Sequence, residues 1–432
     1  MESFLQQGYD DFRTFINPLV AARAELCGEP FRMMSTKDGC LVDAEDRSYH
    51  DFLAGWGTQL FGHRPAVIEQ ALRAYLDGTT PSFYTSGVSP YAGQLGKRLH
   101  EKTGYDAAYF ASGGAEAVEA AMKLARAATG RPRIAYIEGA YHGCTYGSVA
   151  MMHRGPYRDS FGPHLPQVDV LPFNDMAALD KVLADPQLAA IVVEPIQVES
   201  GVRIPSDSYL QRLCNGTAAQ GPLLIADEIQ TGLGRTGQFL CSENWPRQPD
   251  VITLAKALGG GVLPLSSMLT RRDIFDRAYG SVALAEAHAS TFSGNALACV
   301  AGLATLDQLS DTVVASVRNK GEIFRDVLQQ AVGSSPLVSA INGSGLLWGI
   351  ELQAPDHPYF NFDYLGLPEL SGQPAIGLMV MHQLYKSGYI TQVCGHAWHV
   401  LRLQPPLTTS DAELAAFAQA LANALDTLWK LQ

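Results

Sequence analysis

Basic residues are few in this 432-residue chain. Its 31 Lys and Arg side chains face 43 Asp and Glu, for a net charge of -12, so it lacks the cationic surface that nucleic acid requires. No apolar run approaches the 18 residues of a bilayer span, and residues 1–7 lack the basic and apolar regions of a signal peptide. The seven cysteines have no paired spacing and do not indicate a disulfide framework. We therefore expect a cytoplasmic protein without a nucleic-acid or membrane partner. Among the remaining classes, we expect an enzyme.

Short apolar runs alternate with longer helical patterns between about residues 105 and 270. Each run ends in a polar or glycine-containing loop, which is typical of parallel strands that helices cover on both faces. The runs are residues 109–111, 133–137, 189–193, 223–226 and 251–254. The sequence predicts an α/β fold with a mostly parallel central sheet, and such sheets bind ligands at the carboxyl ends of their strands.

The length predicts two or three folding units at roughly 100–200 residues per domain. We expect an N-terminal segment, residues 1–55, that joins the small domain, then a large α/β domain, residues 56–305. A smaller α+β domain, residues 306–432, follows, with an amphipathic helix at its end. A Pro- and aromatic-rich loop at about residues 354–374 carries no motif that predicts a role.

The segment 232–237 matches the dinucleotide-binding fingerprint Gly-x-Gly-x-x-Gly as a string. That fingerprint needs its first glycine directly after a strand and a helix behind its last. Here polar or mixed residues separate the strand from Gly232, and no long helical pattern follows Gly237. The segment therefore indicates a flexible glycine loop, and a nicotinamide dehydrogenase is set aside.

A carboxylate and a lysine end two of the predicted strands. Asp227 closes a strongly apolar run, where an unpaired carboxylate is costly to bury, so we expect a cationic partner for it. Lys256 follows another run and precedes three glycines, 259–261, and a nucleophilic lysine needs a desolvated or electropositive setting of this kind. An acid for a ring nitrogen and a Schiff-base lysine are the pair that pyridoxal phosphate requires.

A phosphate-bearing cofactor also needs an anion cradle. Ser112-Gly113-Gly114-Ala115, between a strand and a helix, offers backbone N–H groups and the positive end of a helix dipole. A tight strand–helix turn explains the same residues equally well. Tyr141-His142-Gly143 follows another strand and puts an aromatic ring at the same edge, where such a ring can stack on a planar group.

Six motifs, in this order, resemble those of the class III (ornithine-type, or ω-) aminotransferases, which have the fold-type I architecture of pyridoxal-phosphate enzymes. Each motif is modest alone, but six in order are specific. With Asp51-Phe52 and Gly62-His63, the likeness covers nearly the whole chain. The motifs are Gly113–Ala117, Tyr141–Gly143, Glu194–Gln197, Asp227–Gly232, Lys256–Gly261 and Leu401–Leu407.

The resemblance implies catalytic and cofactor-binding roles for matching residues. Lys256 is implied as the Schiff-base lysine and proton shuttle, and Asp227 as the partner of the pyridine nitrogen. The other implied cofactor contacts are Gln230 near the ring hydroxyl, Tyr141 and Ile229 on the two ring faces, His142, and the N–H groups of Gly114 and Ala115 on the phosphate. In this family a threonine of the neighbouring subunit completes the phosphate site. Thr291 matches it, which implies a homodimer with its active sites at the subunit interface.

The implied reaction moves an amino group from an amine or ω-amino donor to a keto acid, 2-oxoglutarate or pyruvate. It follows a ping-pong mechanism through an internal aldimine at Lys256. Glu199 and Arg402 match a family switch in which the glutamate covers the arginine until an α-carboxylate arrives. Arginine suits that task because its planar donors fit two carboxylate oxygens. A structural salt bridge remains the alternative interpretation of this pair.

The chain departs from the family pattern at the donor pocket. Cys144 stands where ornithine-type enzymes usually carry an arginine, and Trp56 where they carry a tyrosine. Both replacements are apolar and remove groups that resemble carboxylate readers, so we expect a donor without a distal carboxylate. Trp56, Tyr84 and Cys144 are candidate substrate-binding walls, although core packing explains each equally well. Gly113 replaces the usual Ser or Thr and costs at most one phosphate hydrogen bond.

Three alternative functions stay open from the sequence. One is an ornithine- or acylornithine-type aminotransferase. Another is an aminomutase or decarboxylase on the same fold, because these enzymes differ in which bond is set perpendicular to the cofactor ring. The third, a non-catalytic cofactor binder, is disfavoured by the intact lysine, aspartate and aromatic residue. The physiological donor, the acceptor and the pathway are not indicated.

Overall fold

The helices and strands below belong to a computed structural model that describes residues 2–27, 32–218, 221–364, 366 and 370–431. The helices are α1 Glu2–Phe15, α2 Pro18–Cys27, α3 Ala54–Gly57, α4 Ala66–Leu76, α5 Pro90–Thr103, α6 Gly114–Thr129, α7 Tyr146–Val149, α8 Pro156–Asp159, α9 Met176–Leu183, α10 Asp207–Gly216, α11 Arg272–Tyr279, α12 Ala296–Gln308, α13 Asp311–Val332, α14 Ile376–Lys386 and α15 Asp411–Trp429. Short 3₁₀ helices cover Cys241–Asn244, Lys256–Gly259 and Pro358–Phe360.

The strands are β1 Met33–Lys37, β2 Cys40–Asp43, β3 Ser48–Asp51, β4 Ala107–Ala111, β5 Arg133–Ile137, β6 Val168–Leu171, β7 Leu188–Val193, β8 Leu223–Asp227, β9 Val251–Leu254, β10 Ser266–Thr270, β11 Val338–Ser344, β12 Leu347–Leu352, β13 Tyr389–Ile390, β14 Gln392–Cys394 and β15 Ala397–Leu403. Of the predicted loop at 354–374, residues 365 and 367–369 lie outside the described residues.

The chain divides into two compact units. The larger unit comprises Pro65–Glu199 and Arg203–Ser316, and the smaller unit comprises Met1–Arg64, Ser200–Val202 and Val317–Gln432. The domain boundaries predicted from the sequence, at 55/56 and 305/306, stay a prediction.

The larger unit is built on a sheet whose seven described strands follow the order β4-β10-β9-β8-β7-β5-β6. Strands β9, β8, β7, β5 and β6 are parallel to one another, and β10 is antiparallel to both β4 and β9. The predicted α/β fold with a mostly parallel sheet is confirmed.

Helices cover both faces of this sheet, which explains why its central strands are mostly apolar. Successive residues of β5 point to opposite faces: Ile134 packs in one core with α6 and α11, and Ala135 in another with α9 and α10. Every residue of β7, β8 and β9 is buried. In these three strands, a polar side chain can therefore reach a ligand only at the strand ends and in the loops that follow them.

The smaller unit contains two short sheets, ordered β1-β2-β3-β13 and β11-β12-β15-β14. The second is antiparallel where β12, β14 and β15 pair. Its aromatic core includes Phe52 stacked on Phe417, with ring centroids 4.1 Å apart, and Phe324 packed edge-on against both. This mixture of helices and short sheets confirms the predicted α+β character.

Within the described residues, no single helix has the length and apolarity to cross a bilayer; α12 and α13, which are bent against each other, satisfy that test only as a pair. In the same residues, no cluster of three or more His, Cys, Asp or Glu side chains is arranged to hold a metal ion.

Candidate active site

The carboxyl ends of β7, β8 and β9 meet at one edge of the larger unit's sheet. Val193 lies beside Ala226 and Asp227 beside Thr253 in the parallel pairing. Lys256 begins the 3₁₀ helix that follows β9. The carboxylate and the lysine that the sequence pairs thus stand at the ends of neighbouring strands.

Asp227 is buried, with 4% of its surface exposed, and three groups surround its carboxylate. Oδ2 lies 2.7 Å from His142 Nδ1. Oδ1 accepts the Thr253 hydroxyl at 3.0 Å and the Ile229 N–H at 3.2 Å. These donors stabilise the ionised form of a carboxylate that burial alone would penalise. The cationic partner expected for Asp227 is a histidine, which lies 85 residues away in sequence.

His142 is held in its charged form by its acidic surroundings. Burial opposes the charge, but the hydrogen bond to Asp227 and the negative charges of Asp227 and Glu194 outweigh it and raise the pKa of His142. Its second ring nitrogen, Nε2, is buried and has no hydrogen-bond partner within the described part of the chain. The imidazole and the Asp227 carboxyl group therefore form a buried, hydrogen-bonded pair at the strand edge.

Glu194 is a second buried carboxyl at the same edge. It directly follows β7, has 5% of its surface exposed and accepts the Tyr141 N–H at 2.8 Å through Oε1. Burial, reinforced by the charges of Asp227 and Glu199, raises the pKa of Glu194 to about 7, against the opposing effects of His142 and the Tyr141 N–H. The Glu194 carboxyl group therefore titrates near neutral pH.

Lys256 is half-buried and has a φ of +49°. A non-glycine residue rarely adopts this left-handed conformation, and such backbone strain concentrates at functional sites. The loop behind it is also constrained, because a Cβ at Gly260 (φ +68°) would lie 2.4 Å from Ile68 Cδ1. The backbone here is fixed by packing, which holds the lysine at the end of β9.

Helix α6 begins close to the residues around this lysine. A Cβ at Gly114 would lie 2.9 Å from Ile229 Cδ1 and 3.4 Å from Ala255 Cβ, so only glycine fits there without displacing a neighbour. Glu116 Oε2 accepts the N–H groups of Ser112 and Gly113 at 2.9 and 2.6 Å. Gly114 and Ala115 are the first two residues of the helix, and the amides of a first turn have no acceptor within their own helix.

The loop that carries Tyr141 and Cys144 packs on the same helix. A Cβ at Gly143 would lie 2.5 Å from Ala115 Cβ, which brings the Tyr-His-Gly triplet against the start of α6. Glu119 Oε1 fixes the loop further on, because it accepts the Thr145 hydroxyl at 2.6 Å and the Gly147 N–H at 2.8 Å. Cys144 is exposed, and its Sγ lies 3.3 Å from the Tyr141 hydroxyl.

The remaining predicted cofactor contacts differ in exposure. Ile229 and Gln230 are half-buried in the turn after β8, and Ile229 packs on the core beneath α6. Thr291 is exposed in the single chain. Ser293, two residues on, donates to the Phe110 carbonyl at the end of β4, so the segment of Thr291 is tied to the same sheet.

The predicted substrate residues are distributed over both units. Glu199 is buried in the larger unit, where its charge acts on Tyr141 and Glu194. Tyr84 is half-buried in the same unit, and its pKa is raised by burial and by Tyr75 and Tyr91. It therefore lies beside α4 and α5, and no described contact links it to Lys256.

Trp56 and Arg402 meet in the smaller unit. The Arg402 guanidinium is fully buried, and its Cζ lies 5.0 Å from the centroid of the Trp56 ring, which is 46% exposed. The Asp51 carboxylate fixes the turn that carries Trp56 by accepting the Leu53 and Gly55 N–H groups at 2.9 and 2.8 Å. This contact gives a physical reason for the Asp51-Phe52 motif.

Sequence reasoning gave no role to Glu194, Thr253 or Glu119. Glu194 shows the same sequence pattern as Asp227, a carboxylate at the end of a continuously apolar run. That pattern would have identified Glu194 as a candidate site residue. Thr253 is the one polar residue of β9. Glu119 has no local signal, because its three donors come from a loop 26 to 29 residues away.

Comparison with known proteins extends these observations. The family profile described as "Aminotransferase class-III" matches residues 26–425. The chain belongs to the class III aminotransferases. Among curated relatives, it is 34% identical to aminotransferase PigE of Serratia sp. over 97% of this chain but only 53% of that protein, so it spans about half the length of this relative. It is also 34% identical to the diaminobutyrate–2-oxoglutarate aminotransferase of Rhizobium meliloti, over 91% of this chain and 88% of that one.

A solved structure gives a similar result. An amine transaminase from an uncultivated Pseudomonas species, in its pyridoxal-phosphate-bound form, is 26% identical. It covers 92% of this chain and 95% of its own, with a TM-score of 0.81. The fold-type I architecture predicted for this aminotransferase is thereby confirmed.

Class III aminotransferases use pyridoxal phosphate as their cofactor. Two observations on this chain fit that group. Asp227 is a buried carboxylate that faces the edge with its charge stabilised by three donors, and a basic ring nitrogen needs such an acceptor. At Gly114 a side chain would fill the space beside Ile229 and Ala255. The aminotransferase is thus a pyridoxal-phosphate enzyme whose own residues suit the cofactor.

Proposed function

We propose that this aminotransferase takes its amino group from a primary amine or ω-amino compound without a distal carboxylate and gives it to a keto acid, 2-oxoglutarate or pyruvate, in a ping-pong cycle. The observation that carries the catalytic assignment is the placement of Asp227 and Lys256 at the ends of paired parallel strands. One ring can touch both groups only if they share a sheet edge.

In this proposal pyridoxal phosphate, when bound, supplies an electron sink for the carbon that carries the amino group. Asp227 would accept a hydrogen bond from the ring nitrogen and keep that nitrogen protonated. Lys256 would hold the cofactor through Nζ and would also move a proton at the reacting carbon. Tyr141 and Ile229 would contact the ring faces, Gln230 would bind near the ring hydroxyl, and His142 would support Asp227.

The start of α6 is proposed to bind the phosphate group. The N–H groups of Gly114 and Ala115 are the donors, since the first amides of a helix are unpaired and the helix dipole favours an anion there. The Glu116 carboxylate is occupied by the two preceding amides, which leaves the Gly114 and Ala115 amides to the phosphate.

Donor choice is assigned to three residues, Cys144, Trp56 and Tyr84. Support comes from the exposed Cys144 side chain, which a charged residue replaces in ornithine-type enzymes, and from Trp56, whose ring covers Arg402. Arg402 is proposed to bind the carboxylate of the keto acid, and Glu199 is proposed as the acidic residue of the same family switch. The 2-oxoglutarate named for the Rhizobium relative supports this acceptor class.

A homodimer is part of the proposal. Thr291 is exposed in the single chain and next to Phe292, which is 61% exposed, as expected for a segment that reaches a neighbouring subunit.

The cytoplasm is proposed as the compartment of this protein. The reason is that six cysteines are free thiols, namely Cys40, Cys144, Cys214, Cys241, Cys299 and Cys394.

A donor–acceptor panel tests the proposed function. The purified holoenzyme is assayed with monoamines, diamines, ω-amino acids and ornithine, each with 2-oxoglutarate and with pyruvate. We expect amines or ω-amino compounds without a distal carboxylate to outpace ornithine in kcat/KM. Ornithine as the clear best donor would refute the pocket assignment, and turnover without any keto acid would favour an aminomutase or decarboxylase.

A further inference from the structure

Three buried ionisable groups form a network at the carboxyl edge of the sheet. We name Asp227, His142 and Glu194 the edge triad. Their exposed fractions are 4%, 2% and 5%, and Glu194 follows β7 at the position beside Asp227 on β8. A buried charge is costly unless its neighbours compensate it. The proposed catalytic cycle assigns a task to Asp227 and a supporting one to His142, but none to Glu194.

Glu194 acts on the other two members by contact and by charge. Its Oε1 accepts the N–H of Tyr141, the residue before His142, at 2.8 Å, and its charge contributes to the raised pKa of His142. His142 Nδ1 in turn lies 2.7 Å from Asp227 Oδ2. The chain of influence therefore runs from Glu194 through His142 to the carboxylate proposed to meet the cofactor ring.

We propose that Glu194 is a positioning residue that sets the charge behind the cofactor ring. With Glu194 ionised, the edge triad carries a net charge of -1, which holds His142 as imidazolium and strengthens Asp227 as the acceptor of the ring N–H. With Glu194 protonated, the triad is neutral and Asp227 is a weaker acceptor. This inference rests on the proposed role of Asp227.

The surroundings of Glu194 place this change near neutral pH. Burial and the charges of Asp227 and Glu199 raise its pKa to about 7, while His142 and the Tyr141 N–H oppose the shift. Arg203 is the remaining charged group nearby, and the Glu194 charge acts on it in turn. Besides His142, Asp227 accepts hydrogen bonds from two neutral donors, the Ile229 N–H and the Thr253 hydroxyl.

Two variants separate charge from shape. Glu194→Gln keeps an acceptor for the Tyr141 N–H but loses the charge, whereas Glu194→Asp keeps the charge but shortens the reach to Tyr141. Glu138→Gln is the matched control, because Glu138 also directly follows a parallel strand, β5, yet is exposed. The readouts on each holoenzyme are the pH dependence of the cofactor absorption, kcat, and KM for the donor.

We expect Glu194→Gln to move the spectroscopic midpoint to lower pH by about one unit, the equivalent of a tenfold change in the equilibrium. We expect kcat to fall about tenfold at unchanged KM, the Asp variant to keep the wild-type midpoint, and Glu138→Gln to match wild type. A Glu194→Gln enzyme that titrates like wild type, or an Asp variant affected more than the Gln variant, overturns the inference.

A second measurement does not depend on the variants folding. Infrared difference spectra of the wild-type holoenzyme with isotope-labelled glutamate are expected to show a protonated carboxyl band that disappears as the pH rises through about 7. Absence of such a titrating band overturns the inference. If Asp227→Asn is inactive while Glu194→Gln behaves as wild type, only this inference fails; if Asp227→Asn retains its activity and spectrum, the proposed function itself fails.

Discussion

The residues proposed to hold the cofactor and those proposed to select the donor are built into the protein in different ways. Asp227 and His142 are almost completely buried and hydrogen-bonded to each other. Cys144 is exposed, and Trp56 is 46% exposed. The cofactor side consists of strand ends and a helix start, whereas the donor side consists of loops and turns.

This difference shows how one chain combines the cofactor chemistry of its family with a donor preference of its own. A buried ionic group must keep its partners, because removal of one leaves the other uncompensated. An exposed wall residue has no such constraint, so it can change without unfolding the site. The departures from the family pattern fall where the second condition holds, at Cys144 and Trp56.

The largest expected effect is loss of the lysine. Lys256→Ala removes the residue that is proposed both to hold the cofactor covalently and to move the proton. We therefore expect kcat to fall by about 10⁴-fold or more, because proton transfer alone is worth about 10²–10⁴. Steady-state kinetics and the loss of the lysine-bound absorption band check this. Lys181→Ala, on the exposed side of α9, serves as the control and should retain wild-type activity.

Loss of the Asp227 charge comes next. We expect Asp227→Asn to lower kcat by on the order of 10²–10³-fold, the effect of removing one preorganised electrostatic group. Substitution of the adjacent residue, Glu228→Gln, tests whether the loss of any buried carboxylate has the same effect on kcat. Glu228 accepts the Ser242 and Cys241 N–H groups at 2.7 and 3.2 Å, so its loss should lower the thermal midpoint but leave the cofactor spectrum unchanged. Equal spectra for the two variants would contradict the assignment.

A glycine pair tests the cofactor cradle. Gly114→Ala forces a Cβ to within 2.9 Å of Ile229 Cδ1. Overpacking of this kind costs about 1–3 kcal/mol, so cofactor affinity should fall by about tenfold. Gly113→Ala is the control, since its Cβ would meet only Glu116 Oε2 at 3.6 Å.

The same pair offers a rescue by double substitution. Ile229→Val removes the methyl group that the new Cβ meets, so Gly114→Ala with Ile229→Val should regain part of the lost affinity. Fluorescence titration of the apoenzyme with pyridoxal phosphate gives the dissociation constants. If the double variant binds pyridoxal phosphate as weakly as Gly114→Ala alone, the clash with Ile229 is not the cause of the lost affinity.

The smallest expected effect is on the donor side. Cys144→Arg restores the charge found in ornithine-type enzymes, and we expect kcat/KM for donors with a distal carboxylate to rise about tenfold, the size of one charge-assisted hydrogen bond. The same variant assayed with a monoamine is the internal control and should show no gain. An equal change for both donor types would mean that residue 144 does not read the carboxylate.

Much of the cofactor side could be predicted because its signals are local. An apolar run identifies β9 with its bounds at Val251–Leu254, and the glycines between a strand and a helix at residues 112–115 identify where α6 begins. β10 escaped prediction because it contains Ser266, Ser267 and Thr270, although all three are buried. Two of their hydroxyl groups bond to distant backbone: Ser266 donates to the Gly113 carbonyl, 153 residues away, and Thr270 donates to the Asp250 carbonyl.

The rest depended on contacts that no local pattern records. The pairing of His142 with Asp227 joins the loop after β5 to the end of β8, and the stacking of Arg402 on Trp56 joins residues far apart in the chain. The sequence predicts a partner for Asp227 but not its identity. The same strand-end signal could have identified Glu194 as a candidate. Its raised pKa could not be predicted, because burial and the neighbouring charges that raise it are brought together only by the fold.

The most direct test of the central claim is to reduce the holoenzyme with borohydride and map the modified peptide by mass spectrometry. We predict that the pyridoxyl mass lies on Lys256 alone among the nine lysines of the chain. Modification of a different lysine, or none at all in an enzyme that still turns over, would contradict the account.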